Sequence, residues 1–227
     1  MISGISAVGK TFATESALAQ LAAEEVVLVS CAGVPNRRQL ALELVEQVTG
    51  SPGSGDTTAL KAVLVDELRR AFKLIVLDDA QALGPRAMAL PRELFDEPAA
   101  NVGFVLVGGR GAWATISAHE SIRSRVFDHY EVTAMPVEQV IRVVPRFHPV
   151  WSDTRAQDIK RLDDEHCHGR FRYWNTLTVE AKLRCRRSGR AGVDEEMAQE
   201  LLEWARRRPE EDDEGRTPRL RRDRRAA

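Results

Sequence analysis

Eight consecutive residues, Gly4-Ile5-Ser6-Ala7-Val8-Gly9-Lys10-Thr11, place glycine, lysine and a hydroxyl at the spacing G-x-x-x-x-G-K-[ST]. The residue types explain the chemistry. Two glycines let the backbone turn so that successive N–H groups face inward at phosphate oxygens. A helix must open directly from the loop, because its N-terminal dipole favours negative charge. Lys10 supplies a cation to the β- and γ-phosphates, and the Thr11 hydroxyl supplies a ligand for Mg²⁺. The expected contact set for a nucleoside triphosphate is Gly4, Ser6, Ala7, Val8, Gly9, Lys10, Thr11 and Phe12.

Such a loop needs carboxylates at the end of a neighbouring strand. Leu74-Ile75-Val76-Leu77-Asp78-Asp79 offers two, after four apolar residues. Asp78 is the expected metal-side acid. Asp79 is then placed to orient and polarise an attacking water.

The elements that must position these residues follow from periodicity. Residues 12–23 read as a helix, with Phe12, Leu18 and Leu21 towards one side. Strands are expected at Glu25–Cys31, Lys73–Asp79, Val102–Val107 and His129–Val132, and helices at 37–48, 58–72, 85–95 and 119–126. That alternation predicts βαβ units and a parallel sheet. From Met135 on only helices are expected, at 137–147, 155–166, 171–186 and 193–207. The reading is an α/β P-loop core over 1–134, a small C-terminal helical domain over 135–207, and a disordered charged tail over 208–227. A P-loop normally leaves a buried central strand, yet only Met1–Ser3 precede Gly4. The first strand is therefore expected to be largely missing: either residues lie upstream of Met1, or the sheet lacks its centre and leaves backbone groups unpaired.

The 227 residues carry a formal net charge of −1, with 43% apolar and 30% charged residues, which excludes a wholly disordered or fibrous chain. Three cysteines without a secretory signal read as a reduced cytosolic setting. No apolar run approaches the roughly 20 residues a membrane helix needs.

Taken in order, GISAVGKT, LIVLDDAQAL, FVLVGGRGAW, SIRSRV and HGRFRYWNTL resemble the AAA+ ATPases over residues 4–178. Within them the text resembles the branch of transposition regulators of the MuB, TnsC and TniB type and the ExeA-like ATPases, where Ala80-Gln81 is typical after the acids. The resemblance implies ATP with Mg²⁺ as ligand, and the C-terminal helices as a lid. It implies a homo-oligomer in which Arg125, or less readily Arg123, reaches a neighbour's γ-phosphate. It also implies that Arg172, in Gly169-Arg170-Phe171-Arg172, is the lid's sensor arginine. Duplex DNA and a transposase-like protein are the implied partners.

Two departures weigh against fast turnover. Asp79 stands where the family usually has Glu, one methylene longer. Gly108-Gly109-Arg110 replaces the polar sensor expected after the fourth strand, leaving Arg110 as a substitute. Two rival readings therefore stay open: a nucleotide-dependent scaffold with little hydrolysis, and a non-DNA AAA+ signalling or secretion ATPase. A third is a truncated remnant. His166-Cys167-His168 with Cys185 matches no usual zinc spacing. Trp151, Trp174 and Trp204 read as core of the helical domain. Arg219–Arg225 offers a DNA-contact candidate.

Overall fold

The computed structural model describes residues 1–19, 25–34 and 36–207. Among the described residues five short strands are all parallel: β1 Ile2–Gly4, β2 Val26–Ser30, β3 Lys73–Asp78, β4 Val102–Leu106 and β5 Tyr130–Val132. Strands β2, β3 and β4 pair side by side, with Val29 opposite Leu77 and Leu77 opposite Leu106. β1 pairs with β5, Ile2 opposite Tyr130 and Gly4 opposite Val132. One bridge, Ile2 to Val107, ties the two sets together, and the Gly108 N–H donates to the Ile2 carbonyl at 2.9 Å. The strand order is thus β2-β3-β4-β1-β5.

Ile2–Gly4 is a three-residue strand that pairs along its length with β5 and meets the end of β4 through the one bridge at Val107. Ser3 is buried there, and its Oγ lies 2.8 Å from His129 Nε2. The His129 ring stacks on Trp113 at a centroid distance of 4.5 Å.

Helices in the first part are α1 Lys10–Leu18, α2 Arg37–Thr49, α3 Thr57–Arg70, α4 Pro85–Phe95, α5 Ala112–Ser117 and α6 Glu120–Arg123. Side chains of α2 and α3 recur at helical spacing on one buried face: Leu40 and Leu44, then Leu60, Leu64 and Leu68. They pack with Val27, Val29, Ile75 and Leu77 of the sheet into one core. Caps set the starts. Asn36 accepts from the Gln39 N–H at 3.0 Å and Asp56 from the Ala59 N–H at 2.9 Å, each worth about 1 kcal/mol.

Several elements differ from the periodicity. The helix expected over 119–126 is one turn, Glu120–Arg123, and α5 before it has too few apolar positions to read from sequence. Phe12 does not face the core; it is 65% exposed. Residues 20–24, with Leu21, lie outside the described residues.

The chain divides into two compact units. The first is Met1–Met135 together with Arg170–Arg172; the second is Pro136–Gly169 and the residues from Tyr173 on. The second holds α7 Val137–Phe147, α8 Ala156–Leu162, most of α9 Phe171–Ser188, and α10 Glu195–Arg206. The helix expected over 155–166 stops at Leu162, where a wider turn, Asp163–Cys167, takes over. Its core centres on Trp151 and Trp174, both buried and packed edge to face at 5.5 Å. Trp151 Nε1 donates to Thr178 Oγ1 at 2.8 Å, and Trp174 Nε1 to Asp163 Oδ1 at 3.0 Å. The tail after 207, including Arg219–Arg225, lies outside the described residues.

Candidate phosphate-binding site

The loop between β1 and α1 is shaped by left-handed backbone. Gly9 has φ 94° and Ala7 φ 70°, conformations that cost little at glycine and of order 1 kcal/mol or more elsewhere. Gly4, at φ 148°, answers a different demand: a Cβ there would lie 2.0 Å from the Val132 carbonyl oxygen. α1 then opens at Lys10 with Gly9 as its cap residue and no side-chain cap, so its first N–H groups face the loop.

Lys10 Nζ donates to the Gly4 carbonyl at 3.0 Å and the Ile5 carbonyl at 2.8 Å, folding the ammonium over the loop. Half-burial pushes its pKa below that of an ordinary lysine; the carboxylates of Asp78 and Asp79 oppose this, and the like charge of Arg172 adds to it. Thr11 Oγ1 donates to Asp78 Oδ2 at 2.8 Å, across 67 residues of sequence. The strand register sends β3 past the loop and sets its terminal carboxylate on the hydroxyl. The Asp79 N–H donates to Asp78 Oδ1 at 2.9 Å, and Asp79 is itself left-handed at φ 54°.

Hard oxygen donors at Thr11 and Asp78 suit Mg²⁺. A third observation fits an ion with its water shell. Thr14 Oγ1 is buried without a hydrogen-bond partner among the described residues. It lines a cleft with Thr11, Glu15, Ser30, Asp78 and Val107, where a water would satisfy it. Nothing in the spacing of Thr14 singles it out, because its burial arises only in the fold.

The other expected residues are placed as follows. Ser6 and Val8 lie in the loop, each partly buried. Phe12 stacks on Phe171 at 6.4 Å between centroids. The Arg172 N–H donates to the Ala7 carbonyl at 2.9 Å. Arg170–Arg172 therefore group with the loop, and the charge of Arg172 is felt at Lys10. Arg110 and Arg123 are exposed. Arg125 forms a two-pronged ion pair with Asp96, Nε to Oδ1 at 2.5 Å and Nη2 to Oδ2 at 2.8 Å, and also donates to the Ser121 carbonyl at 2.5 Å. This pairing holds the Asp96 carboxyl below its ordinary pKa. One residue given no role in the sequence reading stands in the site: Gln81, whose amide spans from Asp79 to Gly109.

Comparison with known proteins gives a family and a fold. A sequence profile described as an AAA domain matches residues 1–116. No curated protein matches. The ORC2 protein of Aeropyrum pernix, solved with ADPNP and ADP, superposes with a TM-score of 0.71 at 18% identity, covering 89% of this chain and 61% of that one. Cdc6p from Pyrobaculum aerophilum gives 0.73 at 15% identity, over 90% and 60% of the two chains. A RuvB mutant of Thermotoga maritima gives 0.65 at 15%, over 96% and 64%. At these identities the likeness is one of fold, and this chain spans about three fifths of the ORC2 and Cdc6p chains.

Proposed function

This chain belongs to the AAA domain family of P-loop ATPases, and from that premise we propose that it binds Mg·ATP at Gly4–Thr11 and hydrolyses it to ADP and phosphate. The observation that carries the proposal is the meeting of Lys10, Thr11 and Asp78 at the ends of parallel strands β1 and β3. In this reading the phosphate chain lies against the loop N–H groups, from Ser6 to Thr11. Lys10 gives up its two carbonyl partners for phosphate oxygens. Thr11 and Asp78 would hold the magnesium, which when bound neutralises charge on the phosphates. Asp79 accepts a hydrogen bond from the attacking water and aligns it. Phe171, stacked on Phe12 of α1, and Arg172 lie against the loop from the start of α9, and residues 135–207 act as the lid.

Arg125 would serve a neighbouring subunit's γ-phosphate in a homo-oligomer, where a guanidinium stabilises developing charge. It must first leave Asp96. As to biology, we assign a DNA-associated regulator of the transposition-helper kind, with duplex DNA and a transposase-like protein as partners. The support is the sequence resemblance, together with the likeness in fold to the ORC1 protein of Aeropyrum pernix solved with DNA, TM-score 0.64 at 16% identity. A scaffold reading keeps the nucleotide and drops turnover; the short carboxylate of Asp79 and the bare glycines after β4 favour it.

Phosphate release under saturating Mg·ATP, with and without duplex DNA, tests the proposal. Turnover is expected, with Lys10→Ala lowering it by about 100-fold or more. Asp79→Asn should retain nucleotide and lose release. Tight binding with no release in the unaltered chain selects the scaffold. No binding of any Mg-nucleotide refutes both.

A further inference from the structure

Just beyond strand β4 the chain carries no side chains, at Gly108 and Gly109, and something else fills the space. A Cβ on Gly108 would lie 2.7 Å from Gln81 Oε1 and 2.4 Å from Ala112 Cβ; one on Gly109 would lie 3.5 Å from Gln81 Nε2. Gln81 Oε1 accepts the Gly109 N–H at 3.1 Å, and Nε2 donates to Asp79 Oδ1 at 3.4 Å. The amide orientation follows from chemistry, since a backbone N–H can only donate and therefore faces the oxygen. The nitrogen carries two protons, and Asp79 engages one of them.

The turn that carries Gln81 is itself fastened to the end of β4. It spans Ala80–Ala82, directly after Asp79. The Ala80 N–H donates to the Val107 carbonyl at 2.9 Å and the Ala82 N–H to the Asp79 carbonyl at 2.8 Å. An amide is thus delivered from the end of β3 to a position that a side chain at the end of β4 would otherwise command.

We infer that Gln81 performs the duty Gly108 and Gly109 leave undone: it fixes Asp79 and presents its remaining N–H to the γ-phosphate. The inference rests on the reading of this cleft as a Mg·ATP site. It assigns no part to Arg110, which is exposed.

The test is calorimetric and does not need turnover. Affinities of the full chain for Mg·ADPNP and Mg·ADP are measured and expressed as a ratio. Gln81→Ala should lower the triphosphate-over-diphosphate ratio about tenfold, the worth of one hydrogen bond to a charged group, while Arg110→Ala leaves it in place. In the double variant Gln81→Ala with Gly109→Asn, the amide comes from the end of β4 and should restore the ratio. Gln81→Met, of similar length but without amide protons, should match Gln81→Ala and replaces it if the alanine variant fails to fold. A loss of packing alone would lower both affinities together and leave the ratio unmoved. An unchanged ratio in a chain that binds nucleotide, with Lys10→Ala abolishing binding, overturns the role of Gln81 and spares the site. A chain that binds neither nucleotide overturns both.

Discussion

In the proposed site Lys10 is asked to be two things at once, a cation for phosphate and a half-buried group. Burial has already moved its pKa below that of an ordinary lysine. Anionic phosphates oppose that shift, so binding draws the pKa back up and the site takes up a proton where the two curves differ. ATP affinity should therefore fall as pH rises through the lowered value, earlier than an ordinary lysine would dictate. Lys10→Arg should flatten this alkaline limb, as titration calorimetry over a pH series would detect. Asp79 shows a similar tension. Its left-handed backbone, φ 54°, is one that Asp tolerates better than Glu. The short side chain therefore suits the local geometry, whatever reach the proposed role at water demands of it.

Among elements, the turn before α9 is the best illustration of a buried polar group used as a fastener. Asp163 is 4% exposed. Its Oδ1 accepts the Gly169 N–H at 2.8 Å and Trp174 Nε1–H at 3.0 Å, while its carbonyl accepts the His168 N–H at 2.7 Å. One carboxylate thus orders the segment that leads into Gly169-Arg170-Phe171-Arg172. Asp163→Ala should destabilise the protein by about 2–3 kcal/mol, because two buried donors lose their acceptor. Asp163→Asn, which keeps an acceptor oxygen, should cost less. Urea unfolding followed by tryptophan fluorescence separates the two.

The sequence made some elements legible and hid others, for physical reasons. α2, α4 and α7 start where a cap or proline and the apolar spacing agree, and their bounds were readable within a residue or two. Thr11 and Asp78 could each be named as a magnesium-ligand candidate because motif and strand end have fixed chemistry; their direct hydrogen bond is a product of the fold. Gln81 was not, since its role depends on the register of β3 against β4 and on two glycines 27 and 28 residues further on. Asp96 was hidden too, because an exposed carboxylate after a helix carries no mark of the arginine it will meet. Phe12 misled, because helical spacing records apolarity and cannot distinguish the core from a ring stacked on Phe171.

At the scale of the molecule, the sheet and the phosphate loop share a residue. Gly4 ends β1 opposite Val132 and begins the loop, and its missing side chain admits the backbone of β5. Gly4→Ala should destabilise the fold by about 3 kcal/mol or more, from a clash with main chain at a positive φ. Thermal melting is expected to show it. Gly50→Ala offers a comparison: its φ of 73° is also left-handed, yet a Cβ there meets nothing within 4 Å. It should melt much closer to the parent.

A joint of this kind leaves the loop no independence from its surroundings. Whatever loosens strand β5, whether heat, urea or a misplaced methyl group, slackens the proposed nucleotide-holding loop in the same motion. Conversely, a tightly held nucleotide should brace that rim of the domain, slowing amide exchange at Tyr130–Val132 although no phosphate touches it.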